Sequence, residues 1–267
     1  MLPPTSTTGV ALVTGASKGI GAEIARELSR RGYRLALVAR QADQLHALAA
    51  ELGPTAHVLP ADLSRPQDRA ALAGRIGDLG VEVDLLVNNA GMSNLGPVAQ
   101  SNPAAELALV ELDVAAVVDL CSRFVPGMVA RGRGAVLNVA SVGAFGPVPG
   151  QATYAAAKAF VLSYTHALRE ETRGTGVSVA TLCPGPVRTG FGEQVGIPDD
   201  VAEKMLPPFM WRQPDAVARA GLDGLAAGRA VIIPGAPNRI AAAVNHLTPR
   251  RLLLAALSRA HPGMTRT

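Results

Sequence analysis

Aromatic side chains are scarce in this chain: one Trp, three Tyr and five Phe, 3% of 267 residues. Lys and Arg are scattered, with no run longer than Arg250-Arg251, and the formal net charge is only +4. With neither a basic stripe nor a stacking platform, nucleic-acid binding is excluded as a function class. A modest positive balance still suits a small anionic ligand. Cysteine is nearly absent. Cys121 and Cys183 sit in apolar contexts, which excludes a disulfide framework and reads as two buried free thiols of a reducing compartment. No thiol–histidine constellation and no metal-ligand spacing is readable. No run of about 18 apolar residues occurs, so no membrane-spanning helix is expected. Met1 to Thr8 lacks the charged start and apolar centre of a secretory signal. These absences lead to the expectation of a cytoplasmic location.

What the chain does have is small aliphatic residues. It is 48% hydrophobic and 17% charged, enough to build a large core. Short β-branched runs alternate with longer helical stretches. Strands are expected at Val10–Thr14, Leu35–Val38, His57–Leu59, Val83–Val87, Gly134–Val139, Val177–Leu182 and Ala230–Ile233. Between them the pattern predicts helices at Ile20–Arg31, Ala42–Leu52, Pro66–Ile76 with Ser64 as N-cap, Ala104–Ala130, Tyr154–Thr172 and Asp215–Ala227. Continuous apolar strands separated by helices indicate a parallel sheet covered on both faces. The expected fold class is therefore α/β, a Rossmann-type doubly wound parallel sheet of about seven strands flanked by helices. One domain is expected over residues 1–267, with a core at about 9–233.

The first strand runs into Thr14-Gly15-Ala16-Ser17-Lys18-Gly19-Ile20-Gly21 and then a helix. Glycines there permit a tight turn and close backbone approach to a pyrophosphate, which the free N–H groups of the helix start would hold. The candidate phosphate-binding residues are Gly15, Ser17, Lys18, Gly19, Ile20 and Gly21. Gly15-Ala-Ser17-Lys-Gly19 also matches the G-x-S-x-G nucleophile turn of serine hydrolases, with His246 or His261 as partner. That reading leaves Gly21 without a role. A P-loop is excluded because Ala22 stands where its Lys must be.

The end of the second strand selects the cofactor. An NAD enzyme carries an acid there for the ribose hydroxyls. This chain has Ala39 and then Arg40. Arg40 and Lys18 suit a 2′-phosphate, which favours NADP(H) over NAD(H). Asp43 is the alternative acid, but it reads as a first-turn helix residue.

Taken together, the motifs closely resemble the short-chain dehydrogenase/reductase family. Besides the turn, the matching pieces are Asp62-Leu63, Asn88-Asn89-Ala90-Gly91, Asn138-Val-Ala-Ser141, Tyr154-Ala-Ala-Ala-Lys158 and Pro184-Gly185-Pro186-Val187-Arg188-Thr189. The resemblance covers about Gly9 to Ile233. It implies that Tyr154 is the acid/base, Ser141 the carbonyl-binding hydroxyl, and Lys158 the ribose ligand that lowers the Tyr154 pKa. It further implies that Asp62 contacts adenine, Leu63 flanks it, and Asn89, Ala90 and Gly91 lie along the adenosine side. Pro184, Gly185, Val187 and Thr189 would hold the nicotinamide.

The Tyr-Lys pair can also be argued from chemistry. Spacing of four residues puts both side chains on one helical face. A free phenol ionises near about 10, and a neighbouring ammonium favours the phenolate. One position departs from the family pattern. The family carries an Asn in the long helix before the fifth strand, where this chain has Glu111-Leu112-Asp113-Val114. The resemblance implies that the family Asn supports a water relaying protons to the Lys; Asp113, placed with the catalytic residues, could serve that relay through its backbone carbonyl, pair with Lys158 by charge, or blunt the effect of Lys158 on Tyr154. This departure keeps a non-catalytic NADP-binding relative as an alternative.

The stretch at about 188–214 breaks the α/β rhythm and holds Phe191, Met205, Leu206, Phe209, Met210 and Trp211. It reads either as a lid over an apolar alcohol or ketone or as simple packing onto the body. Beyond it, at about 238–258, Ile240, Val244, Leu247 and Leu252–Leu257 mix with Arg239, Arg250 and Arg251. That arm is expected to pack on a domain or partner subunit, in a homodimer or homotetramer, with a membrane surface as the other possibility.

Overall fold

A computed structural model describes residues 2–192 and 206–254. Seven strands form one parallel sheet: β1 (Gly9–Thr14), β2 (Arg34–Val38), β3 (Ala56–Val58), β4 (Glu82–Asn88), β5 (Gly134–Val139), β6 (Val177–Leu182) and β7 (Val231–Ile232). Their order across the sheet is β3-β2-β1-β4-β5-β6-β7, the doubly wound arrangement expected. The described helices are α1 (Gly19–Arg30), α2 (Ala42–Leu52), α3 (Pro66–Asp78), α4 (Pro103–Val110), α5 (Ala116–Ala130), α6 (Ala152–Glu171), α7 (Pro214–Ala226) and α8 (Ala236–Leu247). Two apolar clusters, one on each face of the sheet, explain why the strands read as unbroken apolar runs.

Two expectations need correction. Ser64 does not cap α3; Arg65 holds that position without a side-chain cap. The Ser64 hydroxyl donates instead to Asp62 Oδ1 at 2.7 Å. The helix expected over Ala104–Ala130 is broken by a π turn at Glu111–Ala115. Arg69, buried between helices, meets the start of that break. Its guanidinium donates to Glu111 Oε2 (3.1 Å), to the Glu111 carbonyl (3.5 Å) and to Asp119 Oδ2 (3.0 Å). A side chain that takes a helical carbonyl loosens the ladder and lets one extra residue into the turn.

The chain winds outward from β1 through β2 to β3, then returns so that β4 pairs with the other side of β1. That switch leaves a crevice beyond the carboxyl ends of β1 and β4. Thr14, the last residue of β1, ties the two strands together. Its buried hydroxyl donates to the Val87 carbonyl (3.1 Å) and accepts from the Asn89 (2.9 Å) and Ala90 (3.0 Å) amides. Valine has the same shape without the hydroxyl, so Thr14→Val strands two amides. It should cost about 1–3 kcal/mol in a urea titration; an unchanged midpoint would show that these three bonds carry no net stability.

Candidate active site

The glycine-rich turn is shaped by backbone demands. Gly15 and Gly19 have φ of 63° and 59°, values that side chains rarely tolerate. A Cβ at Gly21 would collide with the Gly15 carbonyl and the Asn89 amide, and one at Gly19 would sit 3.1 Å from Thr189 Cβ. The turn therefore folds back on itself and lies against the Pro184–Thr189 segment. Its helix, α1, has no side-chain cap and no acid in its first turn. α4, by contrast, is capped by Asn102. The first N–H groups of α1 are thus left to an outside acceptor, and an anion fits there by charge as well as by space.

Asn89 braces this turn. Its Nδ2 donates to the carbonyls of Thr14 (2.9 Å) and Gly15 (3.3 Å). Ser17 Oγ donates to Gln41 Oε1 at 3.2 Å. His261 lies outside the described residues, as does the His246 side chain. At the end of β2, Ala39 is buried while Arg40 and Lys18 are exposed. Asp43 falls in the first turn of α2, as expected. Asp62 accepts from the Ser64 amide (3.1 Å) and hydroxyl. Burial acts against its ionisation, but those bonds and the charges of Arg40 and Arg65 together lower its pKa. Leu63 buries its side chain in the core, and its carbonyl accepts from Arg69 at 2.8 Å.

On the other side of the crevice, Ser141 follows β5 by two residues and caps a short 3₁₀ turn (Val142–Phe145), its Oγ accepting the Gly143 amide at 3.1 Å. The Ser141 hydroxyl lies near enough to the Tyr154 phenol to favour its ionised form. Lys158 is buried one turn further along α6. Its Nζ lies 5.7 Å from the Tyr154 ring centre, 3.4 Å from the Val139 carbonyl and 2.9 Å from Asp113 Oδ2. The π turn swings Asp113 into this position, and Oδ1 accepts the Met92 amide at 2.8 Å. Gly91 passes so close that a Cβ there would stand 3.1 Å from both Asp113 Oδ2 and Lys158 Nζ.

The charges settle as follows. Burial raises the Tyr154 pKa; Lys158 and the Ser141 hydroxyl pull it down, Asp113 pushes it up again, and the net is an elevated phenol. Burial opposes the charge on Lys158, but Asp113 and Tyr154 outweigh it and hold the ammonium above the usual lysine range. The expectation of a Tyr154 phenol lowered by Lys158 is therefore corrected for this arrangement. Lys158 acts in the expected direction, but burial and Asp113 win. Both thiols are buried and pushed up to about 12 by desolvation, which leaves them unreactive.

Two features escaped the sequence reading. Thr14 is the hub described above. A buried amide relay also runs from Asn88 Nδ2 to Asn138 Oδ1 (2.8 Å) and from Asn138 Nδ2 to Thr165 Oγ1 (2.9 Å), fixing β4, β5 and α6 beneath Ser141 and Lys158. Asn138 stood inside a quoted motif, but its partners are 27 and 50 residues away.

The two ends of the 188–214 stretch are zipped together. Val187 bridges Arg212, whose amide donates to the Pro186 carbonyl (3.0 Å), and Arg188 lies 6.0 Å over the Trp211 ring. Phe191 sits 6.3 Å from Tyr154, centre to centre. Trp211 therefore helps close the two ends of the stretch on each other through Arg188, Phe191 reaches Tyr154, and Met205 lies outside the described residues.

Comparison with known proteins agrees with this geometry. The short chain dehydrogenase model matches residues 9–198. A 1-deoxy-11-beta-hydroxypentalenate dehydrogenase from Streptomyces exfoliatus is 38% identical over 192 residues, covering 68% of each chain. A short-chain dehydrogenase from Sphingobium yanoikuyae, solved with NADPH, is 33% identical with a TM-score of 0.78 over 97% of each chain. A bulky-bulky ketone specific alcohol dehydrogenase from Comamonas testosteroni is 29% identical with a TM-score of 0.74, covering 98% of this chain and 96% of that one. With its nucleotide-type turn, its Ser141–Tyr154–Lys158 cluster and this match over most of its length, the chain belongs to the short-chain dehydrogenase/reductase family of oxidoreductases.

Proposed function

We propose that this protein interconverts a ketone and a secondary alcohol of apolar character with NADP(H) as the hydride partner. The observation that carries this reading is the convergence of Ser141, Tyr154 and Lys158 beside an uncapped, glycine-shaped helix start. Gly15, Ser17, Lys18, Gly19, Ile20 and Gly21 would hold the pyrophosphate, Asp62 and Leu63 the adenine end, and Pro184, Gly185, Val187 and Thr189 the nicotinamide end. Asn89, Ala90 and Gly91 form the wall between them. The nicotinamide would supply or accept the hydride at the substrate carbon. Ser141 takes the Gly143 amide on its oxygen, which leaves its own proton to hold a developing alkoxide. Tyr154 delivers the proton in reduction and removes it in oxidation. Lys158 supplies the positive charge beside the phenol, and Asp113 anchors that charge.

Arg40 and Lys18 support NADP(H) over NAD(H), since the carboxylate that an NAD enzyme uses at the end of β2 is replaced by Ala39. Exposed Phe209 and Leu206, with Phe191 near Tyr154, support an apolar substrate. A homo-oligomer is supported by the outer face of α4 and α6. Leu107, Val110 and Phe160 are exposed there, and an open depression of about 450 Å³ lies among Val110, Val114, Ala156 and Phe160.

Tyr154→Phe should cut kcat by at least about a hundredfold and leave NADPH affinity, read by fluorescence titration, nearly unchanged. Full turnover in that variant would remove Tyr154 from the proton step. A wild-type protein that binds NADPH but reduces nothing in a broad panel of apolar carbonyls would be a non-catalytic binder. Arg40→Asp should weaken NADPH much more than NADH; equal losses would disprove the phosphate contact.

The elevated Tyr154 pKa sets the pH dependence. Reduction needs the neutral phenol and should persist well into the alkaline range. Oxidation needs the phenolate and should rise with pH. Asp113→Asn removes a charge that raises this pKa, so the rising limb of kcat/KM for alcohol oxidation should move to lower pH. A limb that stays in place would mean the Asp113 charge is not felt at Tyr154.

A further inference from the structure

The charge of this chain is distributed unevenly. It has 25 basic and 21 acidic residues in all. After Asp223 there are six arginines and no acid at all. The preceding part therefore holds 19 basic residues against 21 acidic ones, and the positive balance belongs to the sequence after Asp223.

The described part of the C-terminal arm is α8 and a helical turn at 250–254. One side packs on the body. Asn238 is fully buried against Gly185 and donates to the carbonyls of Met210 and Pro234. Leu253 is buried against Gly146, just beyond the Ser141 turn. The other side is apolar and open: Ile240 is 65% exposed, Val244 55%, Leu247 78% and Leu252 65%. The first three follow i, i+4, i+7 spacing and form one stripe. Arg239, Arg250 and Arg251 are exposed around it.

We propose that this arm is a docking surface for an anionic lipid bilayer. The stripe would enter the acyl boundary while the arginines meet the headgroups, as in interfacial amphipathic helices. Charge decides between this occupant and a second copy of the chain. A two-fold contact through this patch would set each group of arginines near its own copy, and like charges across an interface are costly. An anionic plane has no such conflict. No described helix is long and apolar enough to span a membrane, so the attachment is to the surface. Docked this way, the arm would hold the Ser141 turn and the Pro184–Thr189 segment close to the bilayer.

The test is flotation of the full chain with vesicles of phosphatidylcholine alone and of phosphatidylcholine mixed with phosphatidylglycerol, at low and high salt. Binding is expected to the mixed vesicles only and to weaken with salt. The double variant Arg250→Gln/Arg251→Gln should lower the partition coefficient roughly thirtyfold. Leu247→Asp should abolish flotation with the urea midpoint unchanged. Because Leu247 is highly exposed, either variant should remain folded, and Ile240→Ser provides a milder probe of the stripe. Flotation with neither vesicle, or equal and salt-independent flotation with both, would overturn the proposal. So would a change of sedimentation coefficient in Leu247→Asp without vesicles, which would assign the stripe to a second copy. None of these readouts involves turnover, so the lipid proposal and the oxidoreductase reading can fail separately.

Discussion

Seven strands that run in one direction must each be returned by a crossover, and every crossover delivers the next strand's carboxyl end to the same edge of the sheet. The site follows from that constraint. The ends of β1, β4, β5 and β6 lead into the glycine-rich turn, the Asn89–Gly91 wall, Ser141 and the Pro184–Thr189 segment. Residues scattered from Thr14 to Thr189 share one crevice because the switch of winding direction beside β1 opens it. The backbone amides and carbonyls inside the sheet pair with one another, and Thr14 and Asn89 satisfy those left over where β1 and β4 part.

Within that frame lies a buried ion pair. Removing Lys158 and Asp113 from water is costly, and their attraction offsets it only because other groups complete the shell. The Met92 amide takes one carboxylate oxygen of Asp113, and the Val139 carbonyl takes a share of the ammonium. Gly91 allows the two charges to meet without a side chain between them. The π turn that presents Asp113 is tied through Arg69 to α3 and α5. The proton affinity of Tyr154 thus depends on Asp113, whose position in sequence is far from it.

The arm after β7 joins these two levels. Its buried side, through Asn238 and Leu253, rests on the loops that carry the reacting groups. Its open side carries apolar residues, with the exposed Arg239, Arg250 and Arg251 beside them. One short element therefore sits between the crevice and whatever covers the outer stripe. Either face could transmit a constraint to the Ser141 turn.

The fold class, the order of elements and the Gly15–Gly21 turn were determined by sequence, because parallel strands and tight turns demand residue types that local pattern reveals. Val10–Thr14 had to be a buried strand, and Gly15, Gly19 and Gly21 had to face a close backbone approach. Tyr154 and Lys158 were legible as a pair because helical geometry links residues four apart. The absence of an acid after β2 was equally plain in Ala39 and Arg40. The break at Glu111–Ala115 was not legible, and the Arg69 that meets it comes from another helix. Nor was the direction of the Tyr154 pKa, which reflects desolvation and the distance to Asp113. The partners of Thr14 and Asn138 lie far along the chain, and the division of labour between Trp211 and Phe191 depends on where the loop ends meet. Sequence determines what each segment can become. The strength and sign of buried electrostatics are decided only when tertiary structure excludes water and sets the distances.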